Sequence, residues 1–326
     1  MKSSAAVKKA PANRAKTPPR SRATARTTWA AKPIPRKSSP PSRRTPTRAS
    51  RTLRRRRFAR SALVLLVVIV LVAGVLARGT WETRNTRLVE TVFATGELAS
   101  ELRVVQLSDF HNITRPAQVR DIIELVRGAD PDLIAITGDL LNTHNRTVDP
   151  VRRLLQGLAE IDAPSYFVEG NHDHWSPERD RLTELLDRFA VTTLTNSHTM
   201  VEGDFGTVAL VGVDDRHSGH DDLAAAVAGL PDEGFRLVLT HSPGILPELE
   251  GHGIDYAMCG HTHGGQIRLP LIGAIYQPGG QWFPEVSKGT YTRGTATLFV
   301  DSGLGVTGPE LRLFNQSQIT LHRIGG

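Results

Sequence analysis

From about Leu98 to the end of the chain, short apolar runs alternate with amphipathic windows, and Gly, Pro and Asn punctuate the joints. Continuous or alternating β-branched runs predict strands, and apolar residues at three- and four-residue spacing predict helices. The pattern predicts strands at 102–108, 132–137 and 165–169, with helices at 117–127, 149–160 and 177–189 between and after them. The second half predicts strands at 199–202, 207–213, 235–240, 255–259, 266–269, 295–301, 311–314 and 318–323, with one further helix at 221–229. Strand–helix alternation followed by strand-rich sequence predicts a layered α/β sandwich, a single domain of about 230 residues.

Ahead of this part the pattern changes in kind. Ala62–Ala77 is an uncharged apolar run bounded by Arg60 and Arg78. At about 1.5 Å per residue it covers roughly 24 Å, short of a hydrocarbon core of about 30 Å. The predicted transmembrane span is therefore 61–81, with Arg78 snorkelling and Trp81 at the interface. No small-x-small cleavage pattern follows, which favours an uncleaved anchor over a removed export signal. The first 60 residues hold 6 Lys, 14 Arg and 8 Pro but no Asp or Glu, a composition that predicts a disordered basic tail. The net charge of +7 is thus an average, because the remainder of the chain carries 20 basic against 33 acidic residues.

The basic excess before the span predicts a single-pass membrane protein with a cytoplasmic N-terminus and an extracytoplasmic domain. Arg55–Arg60 resembles a twin-arginine export signal. The tail is expected to contact anionic lipid headgroups. Only Trp29 and Phe58 interrupt its basic residues, which argues against nucleic-acid binding through stacked bases. The expected organisation is a tail at 1–60, an anchor at 61–81, a linker at 82–98 and a catalytic domain at 99–326. A single cysteine, Cys259, excludes an intrachain disulfide, and its apolar setting makes it a core residue.

Five of the apolar runs end on side chains that can hold a transition metal: Asp109 with His111, then Asp139, Asn171, His241, and His261 with His263. In an extended segment, residues i and i+2 point the same way, so Asp109 and His111 could grip one ion, as could His261 and His263. An isolated Asp-x-His or Gly-Asp is more often a turn at a strand end. Repetition makes the difference. Two carboxylates, one amide oxygen and four imidazoles are too many ligands for one ion and suit two divalent ions that share a bridging carboxylate. This mixture favours Mn, Fe, Co or Zn over Mg or Ca, and paired ions favour a phosphoester substrate.

In this order, the motifs Asp-x-His, Gly-Asp, Gly-Asn-His-Asp, a later His and Gly-His-x-His resemble the calcineurin-like metallophosphoesterases over residues 103–266. The resemblance implies that family's four-layer α-β-β-α sandwich. It implies that Asp109, His111, Asp139 and His263 hold one ion and Asn171, His241 and His261 the other, with Asp139 bridging. His172 would be catalytic, stabilising the phosphoryl transition state or protonating the leaving oxygen, with Asp173 orienting its ring. Gly260–Gln266 (GHTHGGQ), Ser302–Gly305 and Leu311–Asn315 are similar to the membrane-associated bacterial phosphodiesterases of that superfamily. That branch includes cell-wall-associated enzymes and UDP-2,3-diacylglucosamine pyrophosphatases. It implies a phosphodiesterase or pyrophosphatase acting on a lipid-linked or envelope substrate.

A phosphomonoesterase or nucleotidase with a soluble substrate shares the same ligand set and is the alternative. A non-catalytic binding module would have lost ligands, and none is lost. The other histidines, at 144, 174, 198, 217, 220, 252 and 322, are read as surface or satisfied polar residues, although His174 and Trp175 adjoin the catalytic loop. Pro278–Phe283 is read as either a substrate-side flap or a turn with packed aromatics.

Overall fold

Alternation along single strands sorts the core into layers. In the strand 133–137, Leu133 and Ala135 face one cluster while Ile134 and Ile136 face another, and Val104 and Val105 divide in the same way. A strand apolar on both faces must be covered on both, so this pattern requires a sheet between two layers. The computed structural model describes residues 48–308 and 310–326, and the first 47 residues of the tail predicted at 1–60 lie outside them.

The chain divides between Phe58 and Ala59 into two units, of which the second carries the site. The first element is α1 (Arg48–Arg84), followed by β1 (Arg87–Phe93), β2 (Leu102–Leu107), α2 (Pro116–Ala129) and β3 (Leu133–Thr137). Next come α3 (Asp149–Leu158), β4 (Ser165–Val168), α4 (Asn171–Trp175), α5 (Arg179–Arg188) and β5 (Thr192–Thr193). The second half contains β6 (Ser197–Gly203), β7 (Gly206–Gly212), α6 (Leu223–Val227), β8 (Arg236–Leu239), α7 (Leu246–Leu249) and β9 (Tyr256–Cys259). It closes with β10 (Ile267–Leu269), β11 (Gly273–Gln277), β12 (Gln281–Trp282), β13 (Gly289–Arg293), β14 (Ala296–Val300) and β15 (Gln318–Ile324).

One mixed sheet has the order β1-β15-β2-β3-β4-β5 and the other β13-β14-β9-β8-β7-β6. Val104, Leu133 and Val168 of the first meet Leu210, Leu237 and Met258 of the second in the central layer. Helices α2, α3 and α5 cover the outer face of the first sheet through Ile122, Leu154 and Leu182. Leu223 of α6 and Leu249 of α7 cover the second, where Cys259 is buried as expected. This is the α/β metallophosphoesterase fold, two sheets between helical layers. Parallel register sets Leu107 beside Ile136 and Ile136 beside Phe167, and sets Leu239 beside Met258. The ends of β2, β3, β4, β8 and β9 therefore come together at one edge.

Three expectations need correction. Residues 48–60, expected to be disordered, are helical, because Arg is a good helix former and the apolar run beside it supplies the nucleus. The linker at 82–98 contains β1, which pairs in parallel with β15; its partner lies at the far end of the sequence, out of reach of local pattern. Leu311–Phe314 forms no strand but a single bridge, Leu313 to Ile267, because Phe314 adopts a positive φ of 51°. The part of α1 from Thr52 to Arg84 is the one helix among the described residues long and apolar enough to cross a membrane.

The end of α1 is not a loose tether. Glu82 is buried, its Oε2 accepts from Asn315 N at 3.1 Å, and its carbonyl accepts from Ser317 N at 2.9 Å. Thr83 Oγ1 accepts from Arg312 N at 2.9 Å, and its carbonyl accepts from Gln118 Nε2 at 3.0 Å. A Cβ on Gly79 would strike Leu311 and the Arg312 carbonyl.

Candidate metal centre

All seven residues singled out from the sequence converge at the shared edge of the two sheets. The reason is not the pleat. Asp109, His111, Asp139, His261 and His263 have positive φ, between 48° and 70°, so the pairs are brought together by left-handed turns beyond the strand ends. Asp, Asn and His tolerate that region better than most side chains, at a cost of order 1–3 kcal/mol each. Backbone pairing across the edge holds the turns: Asp109 N donates to Gly138 O and His111 N to Asp139 O, each at 3.0 Å. Glycines permit the approach, since a Cβ on Gly170 would overlap the Asp139 carboxylate and one on Gly260 would overlap Ser108 and Asp109.

At the centre, Asp139 Oδ2 lies 3.2 Å from His241 Nε2 and 3.5 Å from His111 Nε2, while its Oδ1 accepts from His172 N at 2.8 Å. Asp109 Oδ1 is 3.6 Å from His263 Nε2 and 3.9 Å from His111 Nε2. His111 Nε2 and His263 Nε2 face each other at 3.1 Å, and His241 Nε2 faces His261 Nδ1 at 3.3 Å. Asn171 Oδ1 is buried and has no hydrogen-bond partner among the described residues. Asn171 thus adds an unused acceptor to the same edge.

The chemistry of this donor set fits divalent metal. His241 Nδ1 lies 2.8 Å from Thr137 O, His111 Nδ1 3.1 Å from Leu141 O, and His263 Nδ1 3.3 Å from Gly305 O. A carbonyl only accepts, so each Nδ1 carries the proton and each Nε2 presents a lone pair inward, as ligating imidazoles do. Lone pairs meeting across 3.1 Å repel unless a cation lies between or beside them.

For His111, His261 and His263 the titration behaviour agrees, because all three stay neutral, whereas His241, held protonated by Asp139, would give up its Nε2 proton to a metal. Burial pushes Asp109 up to about 7 and holds His111 and His261 down to about 3. It also drives His263 well below the usual imidazole range, helped by His111. Burial opposes charge on Asp139 and His241 as well. There it is outweighed by their mutual attraction, which holds Asp139 well below the carboxylate range and His241 well above its own.

Asp173 has a different task from the one the resemblance implies. Its carboxylate does not orient His172, whose Nδ1 has no partner among the described residues. Asp173 Oδ2 accepts from Asp139 N at 2.7 Å and Gly170 N at 3.0 Å, and Oδ1 accepts from Leu141 N at 2.8 Å. It ties the β3 and β4 edges together. Burial and the neighbouring Asp139 push it up to about 7, against the backbone donors of Leu141 and Gly170 that favour its anion.

A cavity of about 290 Å³ opens over the centre, lined by His172, Trp175, His217, Gln277, Gly279 and Gln281 among others. His217, read from sequence as a surface residue, packs its ring 4.8 Å from that of His261. Trp175 lines the cavity as its position suggested, whereas His174 turns away to Asp214 at 2.7 Å. Arg312 lies in the Leu311–Asn315 stretch of the resemblance, but the sequence assigned it no role. Fully buried beneath the centre, it donates to Ser302 O at 2.8 Å, Gly305 O at 2.5 Å and His263 O at 3.5 Å. Burial lowers its pKa to about 10, opposed by Asp109, Asp301 and Glu82.

Among known proteins, the chain is 30% identical over 228 residues to the uncharacterized metallophosphoesterase YkoQ of Bacillus subtilis, covering 69% of this chain and 84% of that one. It is 33% identical over 186 residues to phosphodiesterase YaeI of Escherichia coli, 55% of this chain and 67% of that one. A transmembrane protein with metallophosphoesterase domain from Danio rerio is 29% identical over 242 residues, 69% of this chain and 53% of its own length. The family description "Calcineurin-like phosphoesterase" matches residues 102–265, the stretch that supplies every residue of the buried His/Asp edge. The chain therefore belongs to the calcineurin-like phosphoesterases and is a metallophosphoesterase, a hydrolase of phosphoric esters.

Proposed function

We propose that this enzyme is a two-metal phosphodiesterase or pyrophosphatase that acts on a lipid-linked or cell-envelope phosphoester and is held at its substrate by α1. The observation that carries the two-metal reading is the position of Asp139 Oδ2 between His241 and His111, the place of a carboxylate shared by two ions. Asp109, His111, Asp139 and His263 would hold one ion, and Asn171, His241 and His261 the other. When bound, Mn, Fe, Co or Zn would polarise the phosphoryl group and supply a nucleophile at neutral pH.

The remaining chemistry belongs to the chain. His172 lines the cavity, and burial lowers its pKa, so it enters the reaction neutral and is placed to stabilise charge on the phosphoryl oxygens. Trp175 and His217 wall the cavity and restrict water. The diesterase reading is supported by the likeness to a phosphodiesterase, and the lipid-linked substrate by the apolar α1. The helix would cross the membrane once, with the N-terminus cytoplasmic and the catalytic unit outside. Tethering of this kind raises the local concentration of enzyme at a membrane-bound substrate.

The test is hydrolysis by the full chain in detergent, chelated and then reloaded with Mn, Fe, Co or Zn. Metal-restored turnover of bis(p-nitrophenyl) phosphate in excess of p-nitrophenyl phosphate is expected. The reverse preference would identify a phosphomonoesterase or nucleotidase instead. In the same assay, His172→Ala should lower kcat by about 10²–10⁴ with metal content retained; loss of metal would contradict the role assigned to it.

A further inference from the structure

The three-stranded sheet β10-β11-β12 is not explained by the metal centre. From Leu269 to Phe283 it contains no charged residue. Leu271 is fully exposed, and Ile272, Trp282 and Phe283 are 63%, 65% and 63% exposed. No other stretch of the described residues beyond α1 concentrates so many large apolar side chains in solvent. Leu271 and Phe283 hold positive φ values of 69° and 51°, which bulky side chains adopt only when the surrounding structure enforces it. Soluble surfaces rarely carry such a patch without a partner.

The position of the sheet identifies the partner. Its root, Ile267, is bridged to Leu313, and Arg268 N donates to Leu313 O at 2.9 Å. The neighbouring Phe314 lies under the Arg78 guanidinium at 5.4 Å, and Leu311 packs against Gly79. Arg78 is the first charge after the apolar run of α1. The sheet therefore starts at the level where α1 leaves its apolar stretch. Four residues of extended chain, from Ile267 to Leu271, reach about 13 Å, enough to enter the interfacial zone of a bilayer. The opposite end of the sheet, where β11 turns into β12 at Gln277, Gly279 and Gln281, lines the catalytic cavity.

We propose that this sheet is a membrane-docking face. It inserts Leu271, Ile272, Trp282 and Phe283 into the surface of the bilayer that α1 crosses, so that the metal centre opens beside the lipid headgroups. Aromatic and aliphatic side chains without charge are the composition that settles in this zone. The inference rests on reading α1 as a membrane anchor, and it narrows the substrate to a phosphoester that stays in the lipid layer.

The full chain carrying Leu271→Cys, labelled with a nitrobenzoxadiazole dye and placed in phosphatidylglycerol–phosphatidylcholine nanodiscs, tests the docking. The native Cys259 is buried. The expected result is blue-shifted emission quenched by spin-labelled lipid and protected from iodide. Iodide access equal to that of the dye on glutathione would overturn the proposal. So would protection found only in discs that hold two copies, which would make the face a dimer contact. A second readout compares phosphatidyl-p-nitrophenol in the discs with soluble bis(p-nitrophenyl) phosphate. Replacing both Leu271 and Ile272 by Asp should lower the ratio of lipid-ester to soluble-ester turnover about tenfold, and an unchanged ratio would count against docking. If neither ester is hydrolysed, the diesterase reading fails while the dye still reports whether the face meets lipid.

Discussion

Asp139→Asn is expected to abolish phosphoester hydrolysis, with a loss of the order of 10³-fold or more, while leaving the fold intact. Asn keeps the shape of Asp, and its amide oxygen can still accept from His172 N, as Asp139 Oδ1 does at 2.8 Å. What disappears is the negative charge between His241 and His111, 3.2 and 3.5 Å from Oδ2. Two cations a few ångströms apart repel strongly in a dry site, and a shared carboxylate is what offsets that repulsion. The variant should therefore bind fewer than two ions by elemental analysis, with the second lost first. Electrostatic stabilisation of a developing charge is the largest single contribution in many hydrolytic sites, and so the effect on kcat should exceed that of replacing Trp175 or His217 at the cavity wall. Full activity in this variant would sink the two-metal reading. Unchanged metal content with no activity would instead place Asp139 in a purely catalytic role.

The residues of this centre were legible in the sequence because they end buried parallel strands, and such strands read as continuous apolar runs. The edge where five runs stop is a local property of each run. The way these side chains meet was not legible. The extended i, i+2 argument brings Asp109 and His111 together for the wrong reason, since both sit at positive φ, which no periodicity reveals, and it mispairs His261 with His263, which face His241 and His111 respectively. Asp173 is a similar case: its neighbour in sequence is His172, but its hydrogen bonds go to the backbone of Asp139, Leu141 and Gly170. The role of Arg312 and the strand β1 stayed hidden for a further reason. Their partners are remote in sequence, Arg312 reaching His263 and β1 pairing with β15. His217 was missed because an isolated His in a polar loop resembles many solvated ones.

The same remoteness sets the second large effect, which concerns how much of α1 the catalytic unit needs. A chain that begins at Asn85 keeps every candidate ligand and every strand, yet it should be markedly less stable than one that begins at Ala59. Truncation at that point removes the partners of Asn315 N, Ser317 N, Arg312 N and Gln118 Nε2, together with the Gly79 surface under Leu311. A hydrogen bond contributes about 1 kcal/mol net, so four of them give roughly 4 kcal/mol of a total that is commonly 5–15 kcal/mol. For a domain of this size that corresponds to a fall in Tm of about 10 °C.

The loss should not stop at stability. Arg312 follows Leu311 directly and clamps the carbonyls of Gly305 and His263, and Gly305 O in turn accepts from His263 Nδ1. Freed from Thr83, the Arg312 backbone can shift, and the orientation of one ligand imidazole shifts with it. Metal affinity should accordingly fall about 10- to 100-fold, the usual result of disturbing the groups that orient a ligand. Glu82→Ala in the longer chain should reproduce part of both effects, because it unpairs Asn315 N and the Arg78 guanidinium but leaves the two Thr83 bonds in place. Calorimetric melting and metal titration of the three chains check this. Equal Tm and equal affinity for the chains beginning at Ala59 and Asn85 would show that the helix end is only a tether.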